Sequence, residues 1–455
     1  MVAPLPERRR IRAPLSARAT VVVEQEPKPR HNWALYAFAF LLPLQNLQTG
    51  YMPNLGGGLN FLNIGFGLSL LGAMMCRGTI SHWSPVHKWL LAYVVYAFIS
   101  LFIGYSNVHS DTEQHFNVLK DAMLAVMLIF VAQMSVADLT TARRIILCTL
   151  LPMPYMLRVV WAQHSSVSSW HYSDNLRISG TFSLLGANEF SAFCVTMAVL
   201  LLALLLATRW TWRWRVLLIV GIVSMMLSVL WTYSRTAYVT IMLGSFAVIL
   251  LWRGRWKMIV PLVLVALILP AVLPESVTER FQSTTIEEGK RDDSTEGRFE
   301  FWQIAWDNFL RHPLTGSGYH TFHHPEINPR GMDTHNFFMR ELTEKGIIGS
   351  FITLGMLLSI LRSCWRVMSE SPQDDLAYAL GLGMVAAWLA LIVGNCWGDR
   401  FTYYPVIGYF WIYLGITLKL FQLSLDEKTL PVVDAKTAEK PAVPRHAQPR
   451  RPVHE

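Results

Sequence analysis

Repeated apolar segments constrain the fold of this chain more than any other feature. The sequence contains apolar runs of about 17–20 residues, the length of helix that crosses the hydrocarbon core of a bilayer. Of its 455 residues, 53% are hydrophobic and 15% are charged, whereas a soluble domain is about one quarter charged. The runs are too long for the strands of a membrane barrel. We therefore predict an all-α polytopic membrane protein.

We place twelve membrane spans along the chain. They cover residues 33–49, 60–76, 89–105, 117–134, 143–161, 188–208, 215–231, 235–252, 257–273, 346–362, 377–396 and 404–422. The predicted domains are a disordered basic tail at 1–31, a transmembrane domain at 32–423 and a disordered tail at 424–455, with one large loop at 274–345. An even number of spans puts both termini on the same side.

The charge of the short connections predicts the orientation. One set of connections carries most of the cations: Arg77, Lys88, Arg143, Arg144, Arg209, Arg213, Arg215, Arg253, Arg255, Lys257, Arg362 and Arg366. Because basic loops stay cytoplasmic, both termini are predicted in the cytoplasm and the 274–345 loop at the outer face. The net charge of +8 owes half its value to residues 1–31, with seven Arg or Lys and three acids. We attribute this basic flank to membrane topology rather than to nucleic-acid binding.

The large outer loop contains a predicted amphipathic helix at residues 298–311. Phe299, Trp302, Trp306 and Phe309 recur there at helical spacing. Pro313 ends the run. Two tryptophans suit a helix that lies on the membrane surface or caps the bundle. An acidic cluster just before it, including Asp292 and Asp293, is interpreted as a solvated face.

The few cations of the outer face are informative because a charge near the bilayer is costly without a partner. Arg177, Arg235 and Arg400 lie in the short outer connections, and Arg298 opens the amphipathic helix. Arg235 either snorkels to the interface or clamps an anion. Guanidinium groups bind phosphate oxygens in pairs, so Arg177, Arg235 and Arg298 together favour an anionic substrate. Because ATP is absent outside the cytoplasm, a lipid-linked diphosphate sugar is the activated donor we expect.

His335 is the histidine with the strongest case for chemistry, since it precedes a membrane span. A neutral imidazole at that position could deprotonate an acceptor hydroxyl, although a structural role stays open for the residue taken alone. Asn336 either orients a ligand or caps the following helix. A metal site at His320, His323 and His324 is conceivable, but no HExxH or cysteine motif accompanies them. We predict no metal and no cofactor.

Several short motifs together resemble the membrane O-antigen ligase family, which is related to the O-antigen polymerases. The signature is His335-Asn336, nine residues, then Gly346-Ile347-Ile348-Gly349-Ser350. Three upstream segments are also similar to the superfamily: Arg177 with Gly180 and Asn188; Ser234-Arg235-Thr236-Ala237; and Arg298 with Trp302, followed by Pro313-Leu314-Thr315-Gly316-Ser317-Gly318. The resemblance covers residues 30–422. Ser350 stands where the family more often has threonine, and the basic N-terminal tail lies outside the pattern.

The resemblance implies an inverting, metal-independent glycosyl transfer at the periplasmic face of a bacterial inner membrane. The donor would be an undecaprenyl-diphosphate-linked O-antigen, and the acceptor a sugar hydroxyl of lipid A–core. The implied fold is a helical bundle with a periplasmic helical subdomain, similar to GT-C transferases. His335 would be the base and Arg177, Arg235 and Arg298 would hold the diphosphate. Asn188 and Asn336 would contribute to substrate binding.

Other functions remain open from the sequence. An O-antigen or exopolysaccharide polymerase would use a similar donor with a lipid-linked glycan as acceptor, and a protein O-oligosaccharyltransferase would use a Ser or Thr acceptor. A transporter or flippase predicts a polar passage through the membrane. A transferase instead predicts that His335 and the arginines converge on one outer cavity. A structural scaffold would require neither arrangement.

Overall fold

The computed structural model describes residues 30–51, 60–76, 80, 82–108, 112–167, 176–258, 285–287, 290–291 and 293–429. The described residues between 30 and 423 belong to one compact unit. Of the predicted tails, residues 1–29 and 430–455 lie outside the described residues. The acidic-cluster residue Asp292 is also outside them.

The described chain is almost entirely helical. Its helices are α1 (Trp33–Leu41), α2 (Gln45–Tyr51), α3 (Phe61–Met75), α4 (Pro85–Asn107), α5 (Thr112–Ser135), α6 (Leu139–Leu150), α7 (Met153–Val167), α8 (Ala187–Ala207), α9 (Trp212–Trp231), α10 (Arg235–Leu251), α11 (Asp293–Arg311), α12 (Phe337–Glu370), α13 (Leu376–Asn395) and α14 (Tyr404–Thr429). Short 3₁₀ turns occur at Arg255–Met258 and Thr321–His323, and a small antiparallel hairpin pairs β1 (Thr285–Glu287) with β2 (Lys290–Arg291).

Eight helical segments of the described chain are long and apolar enough to cross a membrane. They are Pro85–Asn107, Gln114–Ser135, Leu139–Val167, Ala187–Ala207, Trp212–Trp231, Phe337–Glu370, Leu376–Asn395 and Tyr404–Glu427. Phe61–Met75 and Arg235–Leu251 are shorter apolar helices. The prediction of a polytopic α-helical membrane protein is therefore confirmed, while the number twelve stays a prediction. Most of the span predicted at 257–273 lies outside the described residues.

The first predicted span is not one continuous helix. The structure divides residues 33–49 into α1 and α2, with Pro43 between them. Proline lacks the N–H that would continue the helix. The amide of Gln48 compensates at the break, because its nitrogen donates to the carbonyl oxygens of Leu41 at 2.7 Å and Leu42 at 3.2 Å. Pro152 similarly separates α6 from α7 inside the predicted span 143–161.

The core of the bundle is built around α8 and α13. Helix α8 packs against α9, α10 and α13, and α12 packs against α4 and α13. Small residues permit these close approaches: Gly383 of α13 lies against Ala203 and Leu200 of α8, and Gly244 of α10 lies against Val199. Close backbone approach at small residues is the usual way in which membrane helices pack. The core thereby fixes the ends of α8, α10, α12 and α13 relative to one another.

Polar groups join helix ends at opposite ends of this core. At one end, Arg209 forms an ion pair with Asp374 at 2.9 Å, and Arg253 donates to the carbonyl oxygen of Ser371 at 3.2 Å. At the other end, Ser234 donates to Asn188 at 3.2 Å, and the Phe337 N–H donates to Gly398 at 3.0 Å. The second end therefore collects the starts of α8, α10 and α12 and the end of α13.

Helix α11 contains the helix predicted at residues 298–311, and its predicted apolar face is buried only in part, with Phe309 8% exposed. Phe299 and Trp306 are 46% and 44% exposed, whereas Phe301 and Ala305 are buried. Phe301 and Ala305 form a small core with Phe322 of the 3₁₀ turn. The helix has apolar residues on two faces. Its contact with the loop determines which face is buried, and the spacing pattern does not reveal that contact.

Candidate functional site

His335 occupies a strained turn just before α12. Its φ of 49° lies in the left-handed region that residues with a side chain rarely adopt. The next residue, Asn336, caps the helix, since its side-chain oxygen accepts from the N–H groups of Phe338 at 3.0 Å and Met339 at 3.1 Å. Such strain persists only where surrounding contacts enforce it, and it is common at functional sites. The cap is one of the two roles predicted for Asn336.

Helix α11 holds the chain on the other side of His335. The indole nitrogen of Trp302 donates to the carbonyl oxygen of Thr334 at 2.9 Å. The ring of Phe301 meets the His335 ring edge-on, with centroids 6.4 Å apart. The Arg298–Trp302 segment is thereby coupled directly to the His335 turn. These contacts bring the Arg298–Trp302 segment and His335, which are far apart in the sequence, into one region of the structure.

The environment of His335 favours the neutral imidazole. Burial lowers its pKa from the ordinary value, and the positive charges of Arg298 and Arg400 lower it further, against the opposing effects of Asp333 and Glu189. An imidazole with a lowered pKa keeps a free lone pair at neutral pH. His335 therefore meets the electrostatic requirement for a general base.

Arg235 and Arg298 line one cavity of about 290 Å³. Arg235 begins α10, and Arg298 lies in the second turn of α11. Trp302 and Trp397 contribute aromatic walls, and Val239 and Val393 contribute apolar ones. The cavity combines two guanidinium groups with an apolar lining, which suits a ligand that has an anionic part and an apolar part. Two of the predicted arginines are thus brought together.

The third predicted arginine lies beside the start of α8. Arg177 donates to the side-chain oxygen of Asn188 at 2.5 Å, and Ser234 donates to the same oxygen at 3.2 Å. Asn188 therefore links the Arg177 segment to the residue that precedes Arg235. Gln163 fixes that segment from α7, because its amide donates to the Gly180 carbonyl at 3.0 Å and accepts from the Gly180 N–H at 2.9 Å.

Arg400 is a residue of this region that sequence reasoning named as an outer-face cation but did not select. It is only 3% exposed and forms an ion pair with Glu189 in the first turn of α8. Its backbone N–H donates to the Asn395 side chain at 2.8 Å. Together with Asn188 and Ser234 it lines a small cavity of about 10 Å³. An arginine in a short outer connection was the available signal. We call Arg177, Asn188, Arg235, Arg298, His335 and Arg400 the arginine site.

The two glycines of the Gly346-Ile347-Ile348-Gly349 motif shape α12. Gly346 has a φ of 62° and interrupts the helix, and a Cβ there would overlap the Leu314 carbonyl. The N–H groups after the break are satisfied by the preceding loop: Ile347 donates to Pro313 at 2.9 Å and Ile348 to Leu314 at 3.2 Å. The motif thus bends the helix segment that follows His335 away from the rest of α12.

The loop of residues 313–318 fits the bend. Gly316 has a φ of 74° and packs against the Glu344 backbone, and Gly318 has a φ of 113° and packs against Gly104 of α4. Ser317 and Gly318 donate backbone hydrogen bonds, both 2.9 Å long, to the carbonyl oxygens of Thr343 and Glu344. The Gly-Ser-Gly segment is therefore a packing element that joins α4, α12 and the loop.

A second polar region lies behind the arginine site, in the first segment of α12. We call Arg340, Glu341, Glu344, Lys345 and Asp399 the ion network, and all five are at most 4% exposed. Arg340 is paired with Asp399, and the Lys345 ammonium donates to both oxygens of Glu341 at 2.7 and 2.9 Å. Thr353, beyond the bend, also donates to Glu341 at 2.6 Å. The network therefore bridges the two segments of α12.

The loop histidines form one compact group. His320, His323 and Glu344 offer ligand atoms that all lie within 4.8 Å of one another, so they are a candidate metal site. Burial lowers the pKa of His320 to about 2 and also lowers that of His323. His324 does not join them, and its Nδ1 instead faces the exposed Glu326 at 4.0 Å. Of the three histidines considered from the sequence, two converge, and they do so with a carboxylate.

The fold and the arginine site define a polytopic α-helical membrane protein with a basic, partly apolar cavity at one end of its helices. A family model described as O-Antigen ligase matches residues 220–354. This match agrees with the resemblance that the motifs indicated, and it covers the second half of the transmembrane region only in part. The matched range contains Arg235, Arg298, His335 and the Gly346–Gly349 bend. No curated protein matches the chain.

Proposed function

We propose that this protein is an O-antigen ligase that transfers a glycan from an undecaprenyl-diphosphate carrier to a sugar hydroxyl of lipid A–core. One observation carries the proposal: His335, with its lowered pKa, lies within the electrostatic reach of Arg298, which shares a cavity with Arg235. The family match spans all three residues. The predicted topology, with twelve spans, cytoplasmic termini and a periplasmic site in the bacterial inner membrane, belongs to the same proposal.

In the proposed reaction, the neutral ring of His335 accepts the proton of the acceptor hydroxyl. The oxygen attacks the anomeric carbon of the donor sugar from the face opposite the diphosphate, so the configuration is inverted. The bond between that carbon and the diphosphate oxygen breaks, and undecaprenyl diphosphate leaves. Arg235 and Arg298 stabilise the charge that develops on the leaving group, so this chemistry requires no metal.

The remaining members of the arginine site support this arrangement. Asn188 binds both Arg177 and Ser234, and it therefore sets the position of Arg177 relative to the start of α10. We assign Arg177 and Asn188 to the donor side of the site. Asn336, whose side chain caps α12, contributes to substrate binding by orienting His335. The GT-C-like fold with a periplasmic subdomain remains part of the proposal.

A deletion strain with plasmid-borne copies tests the function. Lipopolysaccharide is separated on gels after the gene is deleted and after the wild-type or the His335→Ala gene is returned. A ligase predicts loss of every core-attached glycan band, with polymer retained on the lipid carrier, and restoration by the wild-type gene alone. A surviving band of core plus a single repeat would identify a polymerase instead. An unchanged ladder would overturn both and direct attention to protein glycosylation or transport.

A further inference from the structure

The loop that precedes His335 contains three metal-ligating side chains that the proposed transfer reaction does not use. His320 and His323 lie at the two ends of the 3₁₀ turn, and Glu344 lies on α12. Their ligand atoms converge within 4.8 Å. Ligand atoms around a tetrahedral zinc lie about 3.3 Å apart, given Zn–N and Zn–O bonds of about 2.0–2.2 Å. Ligand atoms separated by the full 4.8 Å would have to approach by about 1.5 Å to occupy three of the four positions of such a shell.

Two details of the local structure indicate a preformed metal site. The Nδ1 atom of His323 is buried and has no hydrogen-bond partner among the described residues, although a buried polar atom is normally satisfied. His320 adopts a φ of 60°, in the left-handed region, and its ring stacks on that of His323 with the centroids 4.4 Å apart. The same strained turn thus brings both imidazoles to Glu344, which is 1% exposed.

The charge around Glu344 can accept a cation. The ion network contains three carboxylates, Glu341, Glu344 and Asp399, against the two cations Arg340 and Lys345. Arg340 lies 3.9 Å from the Glu344 carboxylate and opposes a further positive charge there. The network as a whole nevertheless has a formal charge of −1 with every group ionised. A divalent ion at Glu344 would change this formal charge from −1 to +1.

We propose that His320, His323 and Glu344 bind one Zn²⁺ ion that fixes the loop carrying His335. Two imidazoles and one carboxylate are a ligand set that zinc accepts, with the fourth position left to water or to a further side chain. His115 of α5 is one such side chain, since its ring meets that of His320 edge-on at 5.2 Å. The proposed ion has a structural role. The proposal rests on the geometry of these side chains and does not depend on the transfer reaction.

The route from the zinc site to His335 consists of packed side chains. Phe322, between the two histidine ligands, packs into the small core with Phe301 and Ala305 of α11. Phe301 in turn touches the ring of His335. Anchoring the 3₁₀ turn therefore stabilises the wall against which His335 is held. A zinc-bound protein is expected to resist unfolding better than the metal-free protein, because an ion that binds only the folded state stabilises it.

The test measures zinc directly on the full-length protein in detergent, without an affinity tag. The protein is stripped with a chelator, loaded with Zn²⁺ alone and desalted, and bound metal is measured by mass spectrometry together with the Tm. We expect one equivalent per chain and a higher Tm for the wild type. His320→Gln and His323→Gln should lose both effects, and the matched control His324→Gln should keep both.

The wild-type measurement alone can overturn the proposal. Absence of stoichiometric zinc in the wild type would overturn the proposal. A loss of zinc in His324→Gln equal to that in the His320 and His323 variants would also overturn it. If the His320 and His323 variants do not fold, Co²⁺ loaded into the wild type provides a second readout. Tetrahedral absorption bands would support the site, and an octahedral spectrum would contradict it. Since neither metal content nor the spectrum depends on glycan transfer, failure here is distinguishable from failure of the ligase proposal.

Discussion

The arginine site and the ion network are neighbouring polar regions with different charge balance. In the arginine site, four arginines and His335 stand near two carboxylates, Glu189 and Asp333. In the ion network, two cations face three carboxylates, and every charged group is buried. Among the described residues, the first region is therefore basic and lines cavities, whereas the second is nearly neutral and sealed. Charged groups that line cavities are thereby distinguished from charged groups that hold α12 in place.

The largest expected effect concerns the base. His335→Ala should reduce glycan transfer by about 10²–10⁴-fold, the usual contribution of general base catalysis. The measurement is transfer of O-antigen to lipid A–core by membranes that contain equal amounts of folded protein. His324→Ala, in the same loop but outside the arginine site, is the control. Transfer near the wild-type rate in His335→Ala would remove His335 as the base.

A comparable effect, but on stability, is expected in the ion network. Lys345→Met leaves Glu341 buried without its ammonium partner, which typically costs about 3–5 kcal/mol of folding free energy. The Tm and the yield of monodisperse protein should fall, while transfer per folded molecule stays near that of the wild type. Pairing the change with Glu341→Gln should recover most of the stability. Equal Tm values for Lys345→Met and the wild type would contradict the structural role of the network.

Arginine geometry should have a smaller effect at the cavity. Arg235→Lys and Arg298→Lys keep the charge but lose the forked pair of donors. Losing one charge-assisted hydrogen bond costs about 1.5–3 kcal/mol, so transfer should fall about 10–100-fold. The matched control is Arg209→Lys at the opposite end of the bundle, which should retain full activity. If lysine served equally well at both cavity positions, the proposed recognition of phosphate oxygens in pairs would be wrong.

The smallest effect is a shift in pH dependence. The pKa of His335 is lowered by burial and by Arg298 and Arg400, so the ring remains neutral as the pH falls through the ordinary histidine value of about 6.5. Activity should be lost only at lower pH. At about pH 6.5 the activity should be up to twofold higher than the activity expected if His335 had the ordinary histidine pKa. The profile of kcat/KM against pH measures the midpoint. A midpoint at or above that value would contradict the environment described here.

The sequence predicted the membrane class and the motifs because these depend on local patterns. Apolar run length sets helix length, and the Gly346–Gly349 motif is contiguous in the chain. It did not predict the division of the first span at Pro43 or the buried face of α11, because both depend on tertiary contacts. Arg400 was not selected for the same reason: its partner Glu189 is far away in sequence. The sequence placed His320 and His323 close together, but Glu344 joins them only through the packing of α12 against the loop.

The bend at Gly346 also determines which segments could be exchanged between related proteins in a chimaera that still folds. Carbonyl groups of residues 313–318 accept hydrogen bonds from α12, and N–H groups of the same loop donate to carbonyl groups of α12. A side chain at position 316 would have no space against Glu344. Neither partner can therefore be replaced without the other. A chimaeric protein should retain its assembly only where residues 313–349 are transferred as one block. The unit of modular exchange in this molecule is accordingly a loop together with the helix it bends, and not a single membrane span.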